Sequence, residues 1–350
     1  MKLQHLKLRT LFSWLCLLLV ILIILIPLIS IFTYYDFRLN LKLTDYVSSI
    51  IYFTFYQSLL SAFLSIITGS LFAYLLNTYK NYYLINLIAQ TQSILFVLPT
   101  IITVFGILSF YGNFFNIYGL TGILIGHVVL NTPIVSHIIY QTLNDISPSE
   151  KLLPRRIGLG KFSSFLASEW PIIKRNIPSL FVLVTFICFV SFTPVLILGG
   201  SPKYSTLEVS IYYSVIFSND FGTALNLLIF QLIICTIIYF IFFKNFKSEN
   251  FFIDEHRKVK TYFNFTIFSF LELIILLLIA VSIFMPIIFV IIKGLNFEII
   301  STIQSFYLWE SVYNTFIICL FSGIISTVLV YNLLILTKKR TKISESLVYS

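Results

Sequence analysis

The sequence predicts an all-α bundle of helices that cross a lipid bilayer, and three observations predict it. Hydrophobic residues make up 58% of the 350 and charged residues only 11%, where a soluble domain carries about 25% charged residues. The apolar runs are unbroken and about twenty residues long, the length that spans ~30 Å of hydrocarbon. None alternates in the way of a membrane β-strand, and helices and closed barrels are the structures that satisfy every backbone polar group in lipid.

The runs follow one another with short polar joints. The first helix is expected over Leu11–Tyr34, with Pro27 inside it. The ten residues before it are basic, but the run is too long for a cleaved leader and lacks a small-residue cleavage site, so it reads as a retained helix. A second helix is expected over Ser48–Leu76, ending at Asn77–Lys80. The third covers Leu84–Tyr111 as one span containing Pro99 and Gly106, and the fourth Leu120–Leu143. A basic, amphipathic stretch from Asn144 to Pro178 interrupts the pattern. The fifth helix is expected over Pro178–Leu198. A semi-polar loop with room for a short interfacial helix then reaches Asp220, and the sixth helix covers Gly222–Phe243. A polar, basic linker precedes a seventh helix over Phe263–Lys293 and an eighth over Val312–Leu336, and a basic tail closes the chain.

The net charge of +9 invites a nucleic-acid reading, but its placement argues against one. With the N-terminus inside, 19 of the 23 Lys and Arg fall in inner segments, and Arg38, Lys42, Lys203 and Lys293 fall outside. Cytoplasmic loops carry this excess, so the stretch 144–178 is expected at the cytoplasmic face. The four cysteines (Cys16, Cys188, Cys235, Cys319) sit inside apolar runs and read as small core hydrophobes.

A repeat is visible. Tyr56-Gln-Ser-Leu-Leu-Ser-Ala-Phe-Leu-Ser65 aligns with Tyr313-Asn-Thr-Phe-Ile-Ile-Cys-Leu-Phe-Ser322, and the same offset pairs Tyr74 with Tyr331. Upstream, Pro27 and Pro286 sit in similar settings. Six helices per unit make such repeats parallel, related by an axis along the membrane normal. The expected organisation is a first unit over 1–245, a linker over 246–262 and an incomplete second unit over 263–350.

No catalytic constellation is present: there is no Gly-rich loop ending in Gly-Lys-Ser/Thr and no HExxH, and no cofactor or metal is expected. The polar residues of the apolar runs, His127, Asn131, His137 and Glu272, are candidates for a transport pathway, since ionisable groups in a membrane are functional candidates by default. Bonding between neighbouring helices is the alternative for the histidines, and packing at the cytoplasmic side for Glu272.

The stretch 144–178 has internal spacing. Ser147 or Ser149 can cap a helix with Glu150 in its first turn. Gly158 ends one short helix and Pro171 a second. Apolar Leu152, Leu153, Ile157, Phe162, Phe165 and Leu166 alternate with Arg155, Arg156 and Lys161. A pair of interfacial helices gripping anionic lipid headgroups fits this pattern. So does a protein-docking element, in which Arg155 and Arg156 meet acids of a partner in place of lipid phosphates.

Gly158 followed twelve residues later by Trp170-Pro171 is similar to the Glu-Ala-Ala loop of ABC-importer permeases. In that loop a Gly lies six residues after the Glu, and a Leu-Pro follows. Here the triplet positions hold Leu152, Leu153 and Pro154. LFVLPTIITVFGILSFYG (95–112), YGLTGILIGHVVLNTP (118–133), Glu169-Trp-Pro171 and SFTPVLILGGSPKYSTLEVSIY (191–212) resemble the permeases of bacterial thiamine importers. The resemblance implies a type I ABC-importer permease (MetI-like) fold in the bacterial inner membrane, with no enzymatic activity of its own. It implies ABC ATPase subunits docked on Glu150, Leu152, Leu153, Pro154, Arg155, Arg156, Gly158, Trp170 and Pro171, and a periplasmic binding protein delivering thiamine or its phosphates. Family members are fused double permeases of about twelve helices, so a chain of about eight is expected to be C-terminally truncated, and either inactive or completed by a second permease copy. Ferric iron, a polyamine or an inorganic anion is the alternative cargo. A membrane-embedded lipid-modifying enzyme is the alternative class, and it would need a cluster of Asp, Glu or His that the sequence lacks.

Overall fold

The computed structural model of the chain describes residues 12–23, 25–26, 29–30, 44–200, 202–245, 267–295, 301 and 303–348. All the regular structure there is helical, and six helices are long and apolar enough to cross a membrane. The chain is a multi-pass membrane protein. It divides into two compact units, residues 40–294 and residues 1–39 with 295–350.

In the larger unit the central helix is α2 (Asp45–Thr78), following α1 (Phe12–Ile23) of the other unit. Thr44 Oγ1 accepts from the Val47 amide at 3.3 Å, and Asp45 stands in the first turn. Both satisfy the positive end of the helix. The third apolar run is two helices, α3 (Tyr83–Val97) and α4 (Thr100–Tyr111), which corrects the single span expected over 84–111. The cause is Pro99: the residue before a proline is pushed out of the helical region, and Leu98 has φ −61° and ψ 139°. Next comes α5 (Leu120–Asn144), which packs along α2 more extensively than any other pair of helices.

The short helices α6 (Pro148–Arg156) and α7 (Lys161–Ser168) lead directly into α8 (Trp170–Phe189). The fifth span therefore begins and ends earlier than 178–198. Pro171 did not delay it, because a proline in the first turn costs no helical bond, and Pro178 stands inside the helix. α9 (Thr193–Leu198) and α10 (Leu207–Ile216) form the connection to α11 (Phe221–Asn245). The connection returns to the bundle: the Leu207 amide donates to Thr54 Oγ1 at 3.1 Å and the Gly119 amide to the Leu198 carbonyl at 2.8 Å. The linker 246–262 lies outside the described residues.

The unit closes with α12 (Ile267–Gly294). This helix, expected from the sequence to open a second unit, packs with helices α2, α3 and α4. Leu276, Ala280 and Ile283 join Phe72, Leu75 and Leu76 of α2, its C-cap Tyr79, and Ile85 and Ala89 of α3 in one buried cluster. It approaches α4 closely. A Cβ on Gly106 would collide with the Pro286 carbonyl, so only glycine admits the contact. Pro286 has no N–H for the Ser282 carbonyl one turn back, and Tyr111 Oη of α4 donates to that carbonyl at 3.1 Å. Two further cores surround α2. One joins Ala62, Ile66 and Ala73 to α5 and α8, and the other joins Val47 and Ile50 to Phe189, Leu207 and Leu227.

The smaller unit holds α1 and α13 (Phe306–Val348). Ser13 Oγ donates to Asn332 Oδ1 across them at 3.4 Å. Pro27 lies outside the described residues. Both repeat segments, 56–65 and 313–322, are helical, in α2 and α13.

Candidate functional site

The stretch after α5 folds as a helical hairpin against one end of the larger unit. Ser147 Oγ accepts from the Glu150 amide at 3.3 Å, and Pro148 opens α6 where a missing N–H is harmless. Pro154 stands inside α6 near its end, and it is buried. Gly158 makes the turn with φ +89°, a conformation that costs other residues ~1–2 kcal/mol. A Cβ there would meet nothing within 4 Å. Glycine is required by the backbone of the turn and not by a neighbour.

One side-chain contact ties the end of α5 to the segment after α2, and three seat the hairpin itself. Lys80 Nζ donates to Asn144 Oδ1 at 2.6 Å, and Lys151 Nζ donates to Asn77 Oδ1 at 3.2 Å. The Phe165 ring packs edge-on against Tyr74 at 4.8 Å. Lys161 Nζ pairs with Glu272 Oε2 of α12 at 2.5 Å. Burial, and after it the charge of Lys80, pulls the Lys151 ammonium down to about 8, against the opposing pull of Glu169 and Asp145. Burial and Glu272 hold the Tyr79 phenol above its ordinary range.

The opposite face of the hairpin is apolar and open. Leu153, Ile157, Phe162 and Leu166 are exposed, Ile157 and Phe162 by 71% and 72%. A cleft of 420 Å³ runs between the helices, lined by Ile146, Leu153, Pro154, Leu159, Ala167 and Ile172 with Glu150 at its rim. Arg156, Gly158, Trp170 and Pro171 are exposed around it. Leu152 and Arg155 belong to α6, and their side chains fall outside the described residues.

The intramembrane candidates separate. His127 and Asn131 are each 2% exposed and bind between helices. Ser61 Oγ of α2 lies 2.9 Å from Nδ1 of His127, and Ser191 Oγ lies 2.9 Å from its Nε2. Asn131 Nδ2 donates to Cys188 Sγ at 3.2 Å, and Gln57 Nε2 donates to the Cys188 carbonyl at 3.1 Å. Thr68 and Thr132 share a hydrogen bond at 2.8 Å. His137 instead pairs with Gln141 one turn along its own helix at 2.8 Å. The partners on α2 were not singled out by sequence reasoning. Their signal was a row of polar residues, Gln57, Ser61, Ser65 and Thr68, at helical spacing in an apolar run.

No family model matches the sequence. A thiamine transport system permease protein ThiP of Haemophilus influenzae is 28% identical over 318 residues, covering 84% of this chain and 57% of that protein. The chain is similar to thiamine transport permeases. The ThiP of Escherichia coli is 29% identical over 313 residues, and that of Brucella abortus 28% over 284 residues, covering 51% of its length. The chain thus spans little more than half the length of the curated relatives it matches. The all-helical bundle is the architecture that the sequence resemblance implied.

Proposed function

We propose that this chain is a membrane-spanning permease of an ATP-driven importer, carrying thiamine or its phosphates delivered by a periplasmic binding protein. The similarity to ThiP proteins over 84% of the chain carries this reading. The N-terminus and the α6–α7 hairpin face the cytoplasm of a bacterial inner membrane, where the excess of Lys and Arg belongs. Residues 1–245 form the first permease unit, 246–262 a linker and 263–350 the start of a second. The chain performs no bond chemistry, and a separate ATPase subunit hydrolyses ATP.

The hairpin is the docking element. Its apolar ridge of Leu153, Ile157 and Phe162 is suited to a groove in a partner protein, and Glu150 and Arg156 flank it. Rigid-body movement of a docked loop is an ordinary way to drive helices between two arrangements. The test uses Leu153→Glu with Ile157→Glu, which leaves the Gly158 turn intact. The wild-type chain should retain its ATPase on co-purification, and the double variant should lose it. Retention by the variant overturns docking through this ridge. A thiamine auxotroph carrying the gene cluster should take up labelled thiamine. Uptake of ferric iron without thiamine overturns the cargo assignment.

A further inference from the structure

Glu272 stands in the second turn of α12 and draws three elements onto one carboxylate. Tyr79 Oη, from the residue that caps α2, donates to Oε2 at 2.6 Å, and Lys161 Nζ, from the first residue of α7, reaches the same oxygen. Tyr79 is 2% exposed, so its hydroxyl has no bulk water to turn to. The Lys161 ammonium also lies 6.0 Å from the centre of the Tyr79 ring. The pair is only partly exposed, 32% and 23%, where an ion pair is screened less than on an open surface.

The position of this contact sets it apart from the other seats of the hairpin. Asn77 and Tyr74 both belong to α2, in the first unit, whereas Glu272 belongs to the helix that opens the second. Further along α12, the Pro286 backbone lies against Gly106, and Tyr111 holds the Ser282 carbonyl. A displacement of α7 therefore has a continuous path of short polar and backbone contacts through α12 to α4.

We infer that Glu272 is a positioning residue: it fastens α12 to the α6–α7 hairpin, so that movement of the hairpin moves α12 and α4 with it. The inference rests on the docking role of the hairpin. It requires that the contact transmit motion between bistable packings and not merely stabilise the fold.

The full chain is reconstituted with its ATPase and binding protein in proteoliposomes, and both ATP hydrolysis and uptake of labelled thiamine are measured. Glu272→Gln keeps an oxygen for Tyr79 and removes the charge that holds Lys161. Its complex should remain intact, while uptake per ATP hydrolysed falls at least about fivefold, the low end of measured couplings between sites. Exchanging the charges, Lys161→Glu with Glu272→Lys, should restore the ratio to within about twofold, which assigns the effect to the pair and not to either residue alone; no recovery overturns the inference. An unchanged ratio in Glu272→Gln with the complex intact overturns the inference alone. Failure of the wild-type chain to retain the ATPase overturns the docking role and the inference with it. A second measurement uses the chain by itself. With Lys161→Cys, Glu272→Cys and a protease site in the 246–262 linker, a short thiol cross-linker should hold the two cleaved fragments together. Separation of the fragments overturns the contact.

Discussion

Tyr111 and Pro286 make a pair whose energetics can be isolated. The Ser282 carbonyl has no helical donor because residue 286 is proline, and Tyr111 Oη takes that place at 3.1 Å. Tyr111→Phe removes one oxygen and keeps the ring against Phe110. An unsatisfied buried carbonyl costs about 1–3 kcal/mol, while side-chain hydrogen bonds in membrane bundles average about 0.6 and reach about 1.7 kcal/mol. The expected loss is about 1–1.5 kcal/mol, because lipid offers the bare carbonyl no alternative donor. Pro286→Ala returns an N–H to the ladder. In that background the same Tyr111→Phe change should cost about 0.5 kcal/mol or less, since the helix then satisfies its own carbonyl. A double-mutant cycle in mixed micelles, followed by circular dichroism through a denaturing detergent titration, gives the difference directly. Equal costs in the two backgrounds, within about 0.3 kcal/mol, would refute the assignment of this hydroxyl to the proline gap.

Gly158→Ala should destabilise the hairpin turn by ~1–2 kcal/mol because of its positive φ, while Gly160→Ala, in an extended and unobstructed position, should be near neutral; limited proteolysis of 144–169 separates them. Gly106→Leu should weaken the α4–α12 contact by about 1–3 kcal/mol through overpacking, read as a lowered unfolding midpoint. Ser61→Ala should cost about 0.6–1.7 kcal/mol by removing the partner of His127 Nδ1, measured by the same titration. Lys151 supplies a pH dependence. Its ammonium pKa is about 8 in the folded chain against 10.5 as the ordinary value, so the folded state binds the proton less well. The penalty is full below pH 8 and is relieved as pH rises from 8 towards 10.5. Lys80, Glu169 and Asp145 surround it, so the comparison is with Lys151→Gln, whose unfolding midpoint should lack that alkaline gain.

Much of the architecture was legible because lipid leaves few choices. Run length located six of the eight expected spans among the described residues, and charge grouped the segments that share one end of the larger unit. The structure does bring Asn77, Lys80, Asn144, Lys151, Lys161 and Glu272 to one end of the larger unit. The breaks were harder to see. Apolarity continues unbroken through Leu98-Pro99, so hydropathy gave no sign of the turn that backbone sterics impose there. In the candidate site, Ser147 and Gly158 were readable, since caps and left-handed turns are local. The Lys161–Glu272 pair joins residues 111 positions apart, and nothing in either neighbourhood announces the other. The packing of α12 against α2, α3 and α4 was beyond sequence for a similar reason. Packing is decided by which faces fit, here Gly106 against Pro286.

The length of α13 has a mechanical consequence. It runs 43 residues, about 65 Å at 1.5 Å per residue, more than twice the ~30 Å hydrocarbon thickness. Its apolar part ends at Ile335, so the remainder continues as a rod of ~20 Å past the spanning segment. A rod fixed to a membrane helix converts rotation into translation. A 10° tilt of the buried part would carry the far end sideways by ~3.5 Å over that length. A spin label or fluorophore near 348 would thus report, from the water, on rearrangements deep in the bilayer.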